Sequence, residues 1–274
     1  MQRNDVFAGY WYPDDGKALQ ETIALKPEEG ERVRSAILPH AGLFFSHRGI
    51  NHYLARLEEQ VSRIIMLAPS HYFMLEPNRI LGSLLFDQAK TPFGNLAMFP
   101  LNGVDAGGEA QIQREHALEM VLPGLRMTRP NMAVAMGLIS QMDEAHVPKL
   151  ADVLLAQMDE HTALLASSDF THYGLRFQHV PYGTEITDEV RHQVRQEDLR
   201  LAGLLAEGRW RDALAFGARH HSTVCGLAPS VITSCVNSRL GLVGKIVDSY
   251  DSWNLGGGVG ESFVSYVTVL WSKP

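Results

Sequence analysis

Short, nearly unbroken apolar runs recur along the chain, and three of them lead into histidine-bearing segments that break at Pro, Ser or Gly. The runs lie at 35–38, 63–67, 133–139, 163–166, 245–248 and 263–270. Few of them alternate apolar with polar positions, and a continuous run is the pattern of a strand covered on both faces. Between them, amphipathic stretches predict helices over 16–25, 50–60, 116–122, 147–158, 187–206, 210–218 and 227–240. Strands alternating with helices imply parallel pairing through crossover helices. The expected fold is therefore α/β, a mostly parallel central sheet flanked by helices on both faces. The last two strands follow each other closely and are expected at an edge, in antiparallel pairing. No long flexible linker and no internal repeat interrupts residues 1–274, so one domain is expected.

Composition narrows the function. Hydrophobic residues make up 45% and charged residues 20% of the chain, values of an ordinary globule with a large core. A net charge of −7, with no Lys/Arg-rich run, argues against nucleic acid as a partner. No apolar run approaches the roughly 18 residues of a membrane span, and the first residues lack the basic and apolar regions of a signal peptide. Only two cysteines, Cys225 and Cys235, are present, too few for a secreted disulfide framework. The cytoplasm is the expected location. Twelve histidines are a surplus that the rest of the composition does not explain.

Three of them sit where strands are predicted to end. His40 lies in Pro39-His40-Ala41-Gly42, His71 in Pro69-Ser70-His71-Tyr72, and His172 in Ser167-Ser168-Asp169-Phe170-Thr171-His172-Tyr173-Gly174. In an open α/β sheet, ligands bind in the crevice beyond the carboxyl ends of the strands. Cys225, in Thr223-Val224-Cys225-Gly226, precedes a predicted helix, where a thiolate is favoured. Imidazole and thiolate suit zinc, iron and copper, whereas magnesium prefers oxygen ligands. Asp169 is placed to accept a hydrogen bond from His172 and so fix its tautomer, or alternatively to cap a helix. In Glu115-His116-Ala117-Leu118-Glu119, the spacing of His116 and Glu119 puts them on one helix face. Glu115, His116 and Glu119 are expected behind the metal ligands or in contact with substrate. The run Gly256-Gly257-Gly258-Val259-Gly260 lacks the Lys-Ser/Thr ending of a phosphate loop and leads into a strand, so it carries no phosphate site.

Taken in order, these segments resemble the Memo family, whose bacterial and archaeal members are often named AmmeMemoRadiSam system protein B. The resemblance begins at Ala8-Gly9-Tyr10-Trp11-Tyr12-Pro13, passes through the histidine segments, Thr91-Pro92-Phe93-Gly94 and Glu115-His116-Ala117-Leu118-Glu119, and closes at Ser262-Phe263-Val264-Ser265-Tyr266. Ser46-His47-Arg48-Gly49 departs from the Ser-Gly pair usual in the family and is expected to add a polar rim to the site. The resemblance implies the fold of class III extradiol ring-cleaving dioxygenases, with iron(II) on His40 and His71 and with Cys225 in place of a carboxylate ligand. His172 is then the catalytic acid/base. A soft thiolate in that place favours zinc or copper more than a carboxylate does. Three functions are weighed: a non-haem iron oxidoreductase acting on a small molecule, a hydrolase in which His172 deprotonates Cys225 and Asp169 orients the imidazole, and a module that holds a peptide in its cleft around a non-catalytic metal.

Overall fold

A computed structural model describes residues 1–274. Four parallel strands form its centre, in the spatial order Ala133–Ile139, Arg63–Pro69, Thr162–Ser167, Ser35–Leu38. These are the continuous apolar runs, and their alternate side chains enter two different cores. Ile64, Met66 and Ala68 face one, Ile65 and Leu67 the other. Helices Gly16–Ile23, Leu43–Arg56 and Leu122–Thr128 cover the first face. Val147–Leu155, Asp188–Ala206, Trp210–Arg219 and Leu227–Arg239 cover the second. Burial on both faces is what removes period-two alternation from the strands.

Beyond the parallel centre, Ser262–Ser272 pairs antiparallel with Ser35–Leu38, and Val243–Asp251 pairs antiparallel with it at the sheet edge, as the close spacing of the two runs predicts. The opposite edge is built from Leu96–Met98, Gln88–Ala89 and Gln2–Arg3, strands of two or three residues. No helix is long and apolar enough to cross a membrane.

The Gln2–Arg3 edge is anchored by charge. Arg3 is fully buried and meets Glu119 at 2.8 Å. Its guanidinium also donates to the carbonyls of Ile112 and Glu115. The second Glu119 oxygen accepts from the Phe7 amide (2.9 Å) and the Tyr12 hydroxyl (2.7 Å). Burial first, and then the Glu119 charge, hold the Tyr12 phenol protonated far above its usual range. One carboxylate therefore fixes the N-terminal segment 3–12 against the body of the protein.

Candidate metal centre

His40 stands two residues beyond Ser35–Leu38, His71 two beyond Arg63–Pro69, and Asp169 two beyond Thr162–Ser167. These three strands run parallel and side by side, so their carboxyl ends deliver the residues to one crevice. Cys225 reaches it from the opposite layer, just before Leu227–Arg239. Gly226 permits the approach, because a Cβ there would overlap the Ser167 carbonyl oxygen and the Ser168 side chain. The Gly226 amide donates to the Ser168 hydroxyl at 3.1 Å, which ties the two layers together.

One ligand atom each from His40, His71 and Cys225 lies within 4.8 Å of the others. The surroundings decide which ring nitrogens are free. Ser167 Oγ donates its only proton to the Ala117 carbonyl (2.6 Å), so it must accept from His40 Nδ1 (2.9 Å). The His40 Nε2 lone pair then faces Cys225 Sγ at 3.2 Å. His71 Nδ1 donates to Glu115 Oε1 (2.8 Å), while Oε2 accepts from the His71 amide (2.8 Å). Burial alone would raise the Glu115 pKa, but hydrogen bonds from His116 and His71 together outweigh it and bring it down to about 2. An ionised Glu115 thus fixes His71 with its Nε2 lone pair free. A carboxylate or hydroxyl behind an imidazole is the usual support of a metal-ligating histidine.

Burial, followed by the neighbouring His71, His116 and His172 imidazoles, drives His40 well below its ordinary pKa, which keeps it in the neutral form that binds metal. The expectation of a favoured Cys225 thiolate is corrected by its surroundings. Desolvation and then the Asp169 charge push its thiol well above the ordinary value, outweighing any help from the helix that follows. A metal cation would be the strongest local charge opposing that shift, and a coordinating thiol is deprotonated outright.

Further expectations are overturned. Asp169 does not orient His172. Its Oδ1 accepts from the His40 amide (2.7 Å) and the Ala41 amide (3.3 Å), fixing the turn that carries His40. His172 Nδ1 is held by the carbonyls of Phe170 (3.0 Å) and Thr223 (3.1 Å), two backbone acceptors that leave Nε2 as the lone-pair nitrogen. Nor does Asp169 cap a helix; the segment continues into the short strand His172–Gly174, paired with Ser262–Ser272. His172 is not within 4.8 Å of all three donor atoms. Glu119 is likewise no part of the site, since both of its oxygens serve the N-terminal segment. The stretch 116–122 is not one helix but a single 3-10 turn, His116–Leu118, followed by Leu122–Thr128, and the His116–Glu119 face does not exist.

His116 does belong to the site. Its ring lies 4.4 Å from that of His71 and 4.2 Å from that of Trp11. Its Nδ1 lies 3.1 Å from Glu115 and 3.0 Å from the Tyr72 hydroxyl. Arg48, expected at the rim, is instead paired with Asp248 (2.9 Å) and covers the Tyr250 ring. Ser167, Thr223, Trp11 and Tyr72 complete the site without having been expected there. Tyr72 follows His71 directly and Ser167 opens the segment that ends at His172, so both lie beside recognisable chemistry. Nothing in the chain announces, however, that Ser167 meets a histidine 127 positions away.

An α/β protein with a histidine–histidine–cysteine donor set at the carboxyl edge of its parallel strands is the class that this geometry defines. A family model described as "Memo-like protein" matches residues 3–270, and the chain belongs to that family. It is 23% identical to a MEMO1 family protein of Thermococcus onnurineus over the whole of both chains. It is 24% identical to Protein MEMO1 of Danio rerio, over 83% of this chain and 81% of that one. With the MEMO1 family protein MHO1 of Saccharomyces cerevisiae it shares 27% identity, over 72% of this chain and 68% of the relative.

Proposed function

We propose that His40, His71 and Cys225 hold one divalent metal ion, iron(II) in first place with zinc or copper as alternatives, and that the protein is a non-haem oxidoreductase of the extradiol-dioxygenase type. The observation that carries this reading is the convergence of three donor atoms, each histidine with its Nδ1 occupied and its Nε2 free. Two imidazoles and one thiolate suit iron, zinc and copper and not the oxygen-seeking cations. Three protein ligands leave coordination positions open, the arrangement of catalytic sites. Bound iron(II) would supply dioxygen and electron-transfer chemistry.

The remaining residues have roles that follow from their contacts. Ser167 and Glu115 orient the two imidazoles. Asp169 positions the His40 backbone. His172, with Nδ1 engaged by backbone carbonyls and its charged form disfavoured by burial, offers Nε2 as a proton acceptor at neutral pH.

His172→Ala should keep most of its metal while any turnover, scored as oxygen uptake with catechols, drops by ~10²–10⁴, the range of a lost general acid/base. If the variant proves as empty as His40→Ala, His172 is a ligand and the acid/base role is wrong.

A hydrolase reading has one observation in its favour, the 3.2 Å Cys225–His40 contact. It would make His40 the base in place of His172, with Ser167 and not Asp169 as orienting group. However, burial holds that imidazole and that thiol in their neutral forms, the opposite of an activated ion pair. It also gives His71 no task.

A further inference from the structure

Of the three donors His40 is buried, His71 is exposed beside Tyr72, and Cys225 is partly exposed. On its own side, Cys225 lines a cleft of about 740 Å³. That volume falls within the range of small-molecule sites. The cleft lies between the segment that follows Ala133–Ile139, including Ser140, Gln141 and Asp143, and the end of Trp210–Arg219, including Ala218, with the connection to Leu227–Arg239 that carries His221. About half of its walls are apolar. No lysine or arginine lines it; Asp143 and His221 are its only ionisable groups apart from Cys225.

His221 adds a second observation. It has φ +47°, the left-handed conformation that glycine normally supplies after a helix. The amide of its neighbour Ser222 donates to the Gly217 carbonyl at 2.9 Å, closing the helix end around it. An imidazole retained at this position, at a cost of order 1 kcal/mol, is exposed on the cleft wall. Strained non-glycine residues of this kind collect at functional sites.

We infer that this cleft is a substrate approach to the Cys225 side of the metal centre, and that it admits a neutral or cationic, partly apolar small molecule while disfavouring phosphorylated or carboxylate-rich ones. Selection against anions follows from the lining. A phosphate or carboxylate entering the cleft would find no guanidinium or ammonium partner and would pass the Asp143 carboxylate. Gln141, Asn78, Ser140 and His221 instead provide amide, hydroxyl and imidazole hydrogen bonds. This inference rests on the metal reading only for the identity of the centre reached; the route and its charge preference concern the cleft itself.

The test uses metal-stripped protein and methanethiosulfonate reagents of matched size carrying a trimethylammonium, no charge or a sulfonate. Each converts an accessible thiol to a mixed disulfide with release of methanesulfinate. Rates at the Cys225 peptide are read by mass spectrometry and divided by those with 2-mercaptoethanol. The cationic and neutral reagents should react at least tenfold faster than the sulfonate. Gln141→Trp and Ala218→Trp, both at exposed positions, should slow all three reagents tenfold or more while leaving zinc stoichiometry unchanged. Sulfonate reacting as fast as the neutral reagent, or tryptophans that leave the rates unaltered, would overturn the proposal. An unreactive Cys225 in the stripped wild type would do so too. Absence of zinc binding with the charge order and blocking intact would instead defeat the metal reading and leave the cleft standing.

Discussion

His40→Ala and His71→Ala should each emerge from anaerobic purification with less than about a tenth of the wild-type metal. Each removes one of the three donors; Glu115 and His116, whose ligand atoms also lie within 4.8 Å of His71, are engaged with each other and with Tyr72. Losing a ligand costs far more than losing its support, and outer-shell variants typically lower affinity by ~10–100-fold. Ser167→Ala, which frees His40 Nδ1, and Glu115→Gln, which leaves a single neutral acceptor for the His71 ring and amide, should therefore fall between wild type and the ligand variants when iron(II) or zinc is titrated competitively. Cys225→Ser should empty the site, because an alcohol is a much poorer ligand than a thiolate for these metals. Full metal content in His40→Ala and His71→Ala would remove the basis for the assignment.

The largest expected effect on stability lies well away from the metal. Glu119→Ala should destabilise the protein by about 3–5 kcal/mol, the range for breaking a buried ion pair from one side. The change strands a fully buried guanidinium and deprives the Phe7 amide and the Tyr12 hydroxyl of their acceptor. Equilibrium unfolding in urea would show the loss. Limited proteolysis should place the first new cuts within residues 3–12, since that is the segment the carboxylate holds. A loss below about 1 kcal/mol, the value of an exposed pair, would show that Glu119 does not anchor the N-terminal segment.

The parallel centre of the fold was legible because its strands are covered on both faces, which leaves an unmistakable apolar run. The same runs end in Pro39-His40 and Pro69-Ser70-His71, so strand order alone sufficed to bring two histidines together. Other boundaries were hidden by local chemistry. The helix expected from residue 50 begins at Leu43, and Gly49, which reads as a breaker, sits inside it. Glycine is required there because a Cβ would overlap the Thr268 hydroxyl and come within 2.7 Å of the Pro39 ring. The segment after Glu115 splits because the Glu115 side chain accepts from the Ala117 amide and Pro123 opens a new helix. Edge strands of two or three residues are too short to show any period. Most instructive is Asp169: three residues from His172 in the chain, it serves His40, 129 positions away. Proximity in sequence paired Asp169 with the wrong histidine.

The central claim is a metal ion held by two imidazoles and one thiolate. X-ray absorption on protein purified without oxygen and loaded with one equivalent of zinc tests it most directly. One sulfur at ~2.3 Å and at least two nitrogens at ~2.0–2.1 Å are predicted, with the sulfur shell absent in Cys225→Ser. A first shell of oxygen and nitrogen only in the wild type, or a sulfur shell that persists in Cys225→Ser, would contradict it.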